Sequence, residues 1–168
     1  MWDTEFFAAY NNGAFLGRSK PKAIWYDKDD DYAVLKLWTN LDANLGRMGV
    51  WWRGEGFFSS NRKLYMISYS GDHCNNAGCR QKLSTGYSRG TEWIGNNVEH
   101  DLDAKRGSSG SAMFNYYNNM PVMDALNFGE YRDGGENSLT LNGYDGSHPN
   151  VAKPAGVWKA GYDKVKNF

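Results

Sequence analysis

A run of small residues, Gly107-Ser108-Ser109-Gly110-Ser111, leads directly into the apolar Ala112-Met113-Phe114. Glycine allows backbone conformations that other residues avoid, so this run predicts a tight turn, and the apolar residues predict the strand that follows it. A turn of this kind can hold a serine hydroxyl beside outward-pointing backbone amides. Ser109 is therefore a candidate nucleophile, and the N–H groups of Gly107 and Ser109 are candidate donors to an oxyanion.

The rest of the chain favours short strands over helices. Aromatic residues make up 15% of the sequence, Gly occurs 20 times, and the Ala/Leu/Glu/Lys-rich mixture of helical proteins is absent. We expect a hairpin at Asn118-Asn119 and another around Gly86 or Gly90. The segment 157–165 is compatible with either a strand or a short helix. The clearest candidate strands are 23–26, 31–37, 64–69, 112–114 and 122–126.

Length and charge exclude several classes of function. The chain has 168 residues, with 19 basic against 19 acidic side chains, so neither nucleic acid nor an anionic membrane is expected as the main partner. No apolar run approaches the ~20 residues that a membrane span requires. Residues 1–5 lack the basic and apolar regions of a signal peptide.

Cys74 and Cys79 lie in a stretch rich in Gly and Asn. They could close a small local disulfide, but geometry decides this and the spacing alone does not. A zinc site is not expected, because two cysteines without a histidine at ligand spacing cannot complete one. The redox compartment therefore stays open.

Three segments occur in the order typical of one enzyme family. The segment 31–37 has the pattern Asp-φ-Ala-φ-Leu-x-φ, 66–72 is similar to a Gly-Tyr-Pro-Gly-Asp strand and turn, and 100–111 ends in Gly-x-Ser-Gly-Ser. Over residues 23–130 the chain resembles the trypsin-like serine peptidases, in particular the glutamyl-endopeptidase-like branch. That branch has Gly-x-Ser-Gly-Ser-Pro in place of Gly-Asp-Ser-Gly-Gly-Pro.

The resemblance implies an all-β fold, the trypsin-like double β-barrel. Residues 1–40 would be the end of an incomplete N-terminal barrel, 41–54 the connector between barrels, and 55–168 a nearly whole C-terminal barrel. The implied activity is that of a serine endopeptidase acting on a peptide or protein substrate, without cofactor or metal. The resemblance also implies an extracellular protein.

The same resemblance assigns roles to individual residues. Ser109 would be the nucleophile, and Asp31 would orient and support a catalytic histidine. Asp103 falls at the base of the primary pocket, where a carboxylate favours Lys or Arg in the substrate. The alternative for Asp103 is a structural turn, and for Asp31 a solvated turn. The implied substrate-binding residues are Asp103, Asn127, Phe128 and Gly129, the last three as a strand edge that pairs with the substrate backbone.

Four positions depart from the family pattern. Ser108 stands where trypsin has a buried Asp that pairs with the new N-terminus, so activation through that ion pair is not expected. Leu126 stands where glutamyl endopeptidases carry a histidine, which disfavours specificity for Glu. Ala112 replaces a Pro, and Asp124 replaces a Gly and puts the register of that hairpin in doubt.

The expected catalytic histidine is missing from the sequence. In this family it precedes the Asp, whereas His73, His100 and His148 all follow Asp31. Without it Ser109 keeps a weakly nucleophilic hydroxyl, and we expect little activity from these 168 residues. We favour an N-terminal segment, or a partner chain, that supplies the histidine. The other explanation is a non-catalytic pseudoprotease that binds extended peptide.

A different class of function is also compatible with the composition. The many aromatic residues, including Trp51-Trp52, together with the many Asn and Gly residues, would suit a β-domain that binds carbohydrate by ring stacking. The favoured interpretation is that these aromatic side chains form the core.

Overall fold

The structure is a computed structural model that describes residues 4–29, 31–59, 61–75, 78–91, 97–130 and 150–168. The chain divides into two compact units. The first comprises Met1–Arg47 together with Trp158–Phe168, and the second comprises Met48–Val157.

The first unit contains two antiparallel hairpins and two short helices. Its elements are β1 (Phe6–Ala8), β2 (Gly17–Ser19), β3 (Pro21–Asp27), β4 (Tyr32–Leu37), α1 (Asp42–Leu45) and, from the C-terminus, α2 (Lys159–Val165). Strand β1 pairs with β2, and β3 pairs with β4. Helix α2 packs on β3 and β4, and Gly161 allows this because a Cβ there would collide with the ring of Trp25. The segment 157–165 is thus mainly helical.

The second unit is a closed six-stranded antiparallel barrel. The strands of this unit, six of which form the barrel, are β5 (Gly49–Val50), β6 (Lys63–Ser68), β7 (Cys74–Asn75), β8 (Gly78–Cys79), β9 (Lys82–Thr91), β10 (Val98–His100), β11 (Ala112–Tyr117), β12 (Met120–Glu130) and β13 (Asn150–Pro154). The order β11-β6-β9-β10-β13-β12 closes through a further pairing of β11 with β12. Strand β5 adds to β12 in parallel, and β7 pairs with β8 as a separate ribbon. Short 3-10 helices span Glu55–Phe58, Gly71–His73 and Ala155–Trp158.

Alternation along the strands fills the barrel. On β6 the residues Leu64, Met66 and Ser68 are buried, whereas their neighbours are partly or fully exposed. The two asparagines predicted as a hairpin turn have φ values of 51° and 62° and join β11 to β12, which confirms that prediction. The buried apolar cluster is formed by Phe58, Leu64, Met66, Val98, Leu102, Ala104, Met113, Ala125 and Ala152.

The prediction of a turn at Gly86 or Gly90 is wrong, although β9 does pair antiparallel with β10, the next described strand along the chain. Strand β9 runs through both glycines and pairs with β6 and β10. Gly86 is required for another reason, since a Cβ there would lie 3.1 Å from the backbone nitrogen of Leu102. That glycine therefore marks a close approach of two backbones.

Two β-bulges distort β12. The register with β11 shifts at Met113/Phe114, which leaves Asp124 as the extra residue, and the register with β13 shifts between Asn127 and Gly129. Bulges bend a strand and redirect its side chains, and they are frequent beside active sites. Both shifts lie in the strand that contacts the Ser109 turn.

Candidate active site

The Ser109 turn, residues 105–111, precedes β11 and depends on two glycines. Gly107 and Gly110 have φ values of 97° and 77°, in the left-handed region that L side chains rarely adopt. A Cβ on Gly107 would also lie 2.8 Å from the carbonyl oxygen of Tyr69. Position 107 therefore requires glycine twice over, for its conformation and for space.

Two carbonyl groups within the turn are held from outside it. The N–H of Gly71 donates to the oxygen of Arg106 at 2.7 Å. The oxygen of Ser108 accepts from Asn127 Nδ2 at 3.0 Å and from the N–H of Ser111 at 3.1 Å. In a planar trans peptide, C=O and N–H point in opposite directions. These bonds therefore fix where the N–H groups of the next residues point.

The N–H groups directed in this way are those of Gly107 and Ser109, which follow Arg106 and Ser108. Within the described part of the chain, neither N–H has a hydrogen-bond acceptor. The N–H of Ser108, which lies between them in sequence, donates to Lys105 O at 2.8 Å. The N–H of Gly107 and the N–H of Ser109 itself are thus open donors in the turn that carries the exposed Ser109. Preorganised amides of this kind are what stabilises the oxyanion of an acyl-transfer reaction.

The side chain of Ser108 anchors the turn. It is fully buried, and its Oγ lies 3.1 Å from Ser70 Oγ, which in turn lies 3.1 Å from Ser68 Oγ. The N–H of Lys105 donates to the same Ser108 oxygen at 3.3 Å. Ser68, Ser70 and Ser108 therefore form a buried, uncharged chain of hydroxyl groups that holds the turn.

Asn127 and His100 lie beneath the turn and are buried. The main chain of Asn127 accepts from Gly110 N–H at 2.8 Å and donates to Ser111 O at 2.9 Å. Its Oδ1 lies 3.0 Å from His100 Nε2. Burial lowers the pKa of His100 to about 4, against the smaller opposing effects of Asn127, Asp101 and a backbone contact with Val151. Sequence reasoning gave His100 no role, because its burial is not visible in the pattern.

Asp124 is a second buried polar residue that the sequence did not reveal as such. Its Oδ2 accepts from the hydroxyl of Tyr117 at 3.2 Å. Among the described residues its Oδ1 has no hydrogen-bond partner. Burial raises the pKa of Asp124 to about 6, although Tyr117, Arg53 and Arg62 act in the opposite direction. Burial also raises the pKa of Tyr117 to about 12, so its hydroxyl remains a donor.

The other predicted site residues are Asp31, Asp103, Phe128 and Gly129, and their environments differ. Asp31 belongs to the first unit, where it is exposed in the β3–β4 turn with a φ of 49°. Asp103 is exposed, and its Oδ2 lies 2.6 Å from Lys82 Nζ. Phe128 is half-buried, with Lys153 Nζ 5.6 Å from its ring centre, and Gly129 pairs with β13. A cleft of about 430 Å³ at Asp31 is lined by Tyr26, Asp27, Lys28, Asp31, Tyr32 and Ala33.

The histidines provide no general base within the described residues. His73 is partly exposed and lies 3.7 Å from Asp72, and His100 bonds to Asn127. Neither is hydrogen-bonded to Ser109 in the described part of the chain. His148 falls outside the described residues.

Cys74 and Cys79 form a disulfide bond across β7 and β8. Over the ranges that the structure describes, no group of three or more His, Cys, Asp or Glu side chains could hold a metal ion. In the same ranges no helix has the length and apolar character needed to cross a membrane.

Arg53 stacks on the aromatic rings of Trp51 and Phe57, although Trp51 remains partly accessible to solvent. The guanidinium of Arg53 lies 3.4 Å from the ring centre of Trp51 and 3.7 Å from that of Phe57. The ring of Tyr117 meets Trp51 edge-on at 4.4 Å. A ring that stacks on a guanidinium offers less of its surface to a sugar, so this geometry does not favour the carbohydrate-binding interpretation.

Comparison with known proteins gives a likeness of structure but not of sequence. No family model and no curated protein sequence matches the chain. Among solved structures it is similar to the crystal structure of protease Anisep from Arthrobacter nicotinovorans, with a TM-score of 0.68 and 17% sequence identity. The match covers 98% of this chain and 74% of that one. It shows the fold, and the expected fold class, an all-β protein of the protease double-barrel type, is confirmed.

Proposed function

We propose that this chain carries the nucleophile, the oxyanion donors and the orienting carboxylate of a serine endopeptidase. Ser109 attacks the scissile carbonyl and forms an acyl-enzyme, and the N–H groups of Gly107 and Ser109 stabilise the tetrahedral intermediate. From the resemblance alone we also assign to Asp31, an exposed residue of the first unit, the role of orienting the catalytic imidazole. The observation that carries the proposal is the exposed Ser109 together with two amides without acceptors, its own and that of Gly107, each directed by a hydrogen-bonded carbonyl group of the preceding residue.

We propose that the general base comes from outside these 168 residues, because in the family that the chain resembles the catalytic histidine precedes the orienting Asp, and all three histidines of this chain follow Asp31. An imidazole is needed to accept the proton of Ser109, and neither described histidine is bonded to it. We place it on a polypeptide segment upstream of residue 1 or on a partner chain. The disulfide between Cys74 and Cys79 is consistent with the oxidising compartment of secreted proteases.

Primary specificity for Lys or Arg is not included in the proposal. A specificity carboxylate must be available to the substrate, whereas Asp103 is exposed and already paired with Lys82. Asn127 is likewise not proposed as a backbone partner of the substrate, since its own N–H and C=O bond to the Ser109 turn.

The test is labelling with a fluorophosphonate probe, followed by mass spectrometry of the labelled peptide. The chain would be expressed alone and together with the coding sequence that precedes it in its gene. We expect labelling of Ser109 in the longer protein, loss of labelling in Ser109→Ala, and unchanged labelling in the exposed control Ser59→Ala. Asp31→Asn should lower turnover by about 10⁴-fold, the loss typical of this carboxylate.

Two outcomes would overturn the proposal. Labelling that survives in Ser109→Ala would place the nucleophile elsewhere. Absence of labelling in both proteins, with binding of an extended peptide measured by calorimetry, would favour the pseudoprotease instead.

A further inference from the structure

We propose that His100 is a positioning residue that orients the N–H of Ser109 through the side-chain amide of Asn127. This inference builds on the proposed function, in which that N–H is an oxyanion donor. The imidazole of His100 is buried and is not a member of the proposed catalytic triad.

We infer the tautomer of the imidazole from its contacts with Leu102 and Asn127. A backbone hydrogen bond with Val151 also reaches the ring and competes for its proton, so the tautomer is measured directly as well. The N–H of Leu102 lies 3.3 Å from His100 Nδ1, so Nδ1 is the acceptor and carries no proton. The proton is then on Nε2, which donates to Asn127 Oδ1 at 3.0 Å. The lowered pKa keeps the ring neutral near pH 7.

The donor from His100 fixes the orientation of the Asn127 amide. With Oδ1 facing Nε2–H, the amide must turn its Nδ2 towards the carbonyl oxygen of Ser108, 3.0 Å away. The reverse orientation would place two N–H donors against each other and two oxygens against each other. The imidazole therefore selects one of the two amide orientations.

The bond to Ser108 acts on Ser109 through the peptide plane. Ser108 C=O and Ser109 N–H belong to one rigid peptide group and point in opposite directions. Asn127 also holds Gly110 and Ser111 through its main chain, so the residues on both sides of Ser109 are anchored to it. Loss of the donor from His100 would weaken the hydrogen bond from the Asn127 side chain to the Ser108 oxygen. The two main-chain hydrogen bonds of Asn127 would remain.

A matched pair of substitutions separates positioning from simple packing. In His100→Asn the side-chain amide can replace Nδ1 as the acceptor for Leu102 but cannot reach Asn127. In His100→Gln the longer amide can replace Nε2 as the donor to Asn127. Positioning therefore predicts that Gln rescues the Ser109 turn better than Asn, an order that core volume alone does not predict.

The first readout is hydrogen exchange of the Ser111 amide, which donates to the Ser108 oxygen, measured in the full chain and compared with thermal unfolding. The Gly110 amide, which donates to the main chain of Asn127, is the internal control and should keep its protection. We expect protection of the Ser111 amide to fall about tenfold in His100→Asn and less than threefold in His100→Gln. Asn127→Ser, which removes the same amide, should match His100→Asn. The inference is overturned if both His100 variants lose protection equally, or if His100→Asn loses none.

The second readout needs no substitution. Long-range ¹H–¹⁵N spectra of the unmodified protein should show His100 as the Nε2–H tautomer. An Nδ1–H tautomer would overturn the inference even if every variant failed to fold. Fluorophosphonate labelling of Ser109 separates the two proposals: if the unsubstituted protein is never labelled, the peptidase proposal fails, while exchange and tautomer still decide the role of His100.

Discussion

Replacing Asp124 with asparagine should stabilise the barrel at neutral and alkaline pH and have little effect near pH 4. Asp124 is fully buried at a β-bulge of β12, and one of its two carboxyl oxygens has no hydrogen-bond partner among the described residues. A buried charge without full compensation is costly, whereas a neutral amide of the same shape is less so. Tyr117 can donate to the asparagine oxygen as it does to the carboxylate.

The pKa shift sets the size of the effect. The pKa of Asp124 rises from its ordinary 3.8 to about 6, mainly through burial. The folded state thus holds the proton more tightly than the unfolded state, so stability falls as pH rises through the window from about 4 to about 6. A shift of about two units corresponds to at most ~3 kcal/mol. The stabilisation by Asp124→Asn should therefore be about 2–3 kcal/mol larger at pH 8 than at pH 4.

The measurement is urea-induced unfolding at pH 4 and pH 8, supported by thermal melts, where this difference corresponds to roughly 5–10 °C for a chain of this size. Asp103→Asn is the matched control. It removes an exposed carboxylate paired with Lys82 and should change stability by less than about 1 kcal/mol at either pH. Equal effects of Asp124→Asn at the two pH values would show that Asp124 does not titrate as the buried carboxyl described above.

Three further predictions concern the Ser109 turn and its support. Gly107→Ala should destabilise by about 2 kcal/mol or more in urea unfolding, because alanine is strained at a φ of 97° and its Cβ would strike a carbonyl oxygen; an unchanged midpoint would contradict the described turn. Ser108→Ala should cost about 1–3 kcal/mol in thermal melts because it leaves buried partners unsatisfied, whereas exposed Ser109→Ala should stay within about 0.5 kcal/mol; equal costs would contradict this. The free energy of unfolding should fall by up to ~3 kcal/mol as pH falls from about 6.5 to about 4, because burial lowers the pKa of His100 to about 4 and the unfolded chain binds the proton more tightly. The measurement uses the Asp124→Asn variant, which removes the opposite pH dependence of Asp124. A flat profile there would mean that the imidazole is not buried in its neutral form.

Local signals in the sequence located several elements correctly. Strands β4 and β6 coincide with runs of mainly apolar residues, and two asparagines suit the positive φ values of the β11–β12 turn. Gly86 was misinterpreted because a glycine has the same appearance in a turn and in a close approach of backbones. Only the pairing of β9 with its neighbours, together with the nearby Leu102 backbone, shows which applies.

The candidate site could be predicted as far as its turn but no further. Gly107 and Ser109 are adjacent in sequence and form the turn by local conformation. The bonds that aim their amides come from Gly71 and Asn127, which are distant in sequence and become neighbours only when the barrel closes. No spacing rule indicates such partners, because they act through one backbone N–H and one amide.

A turn of small residues has little rigidity of its own, and this explains the buried polar residues that contact the Ser109 turn. Glycine and serine leave many backbone states open, so a defined direction for two amides must be imposed by groups from elsewhere in the fold. Those groups must be polar to bind carbonyls and buried to be rigid, and buried polar groups persist only when they are hydrogen-bonded. The buried set of Ser68, Ser70, Ser108, His100 and Asn127 meets these conditions. In the sequence such polar residues cannot be distinguished from ordinary surface residues. Sequence analysis therefore finds the turn but not the buried polar residues that hold it in place.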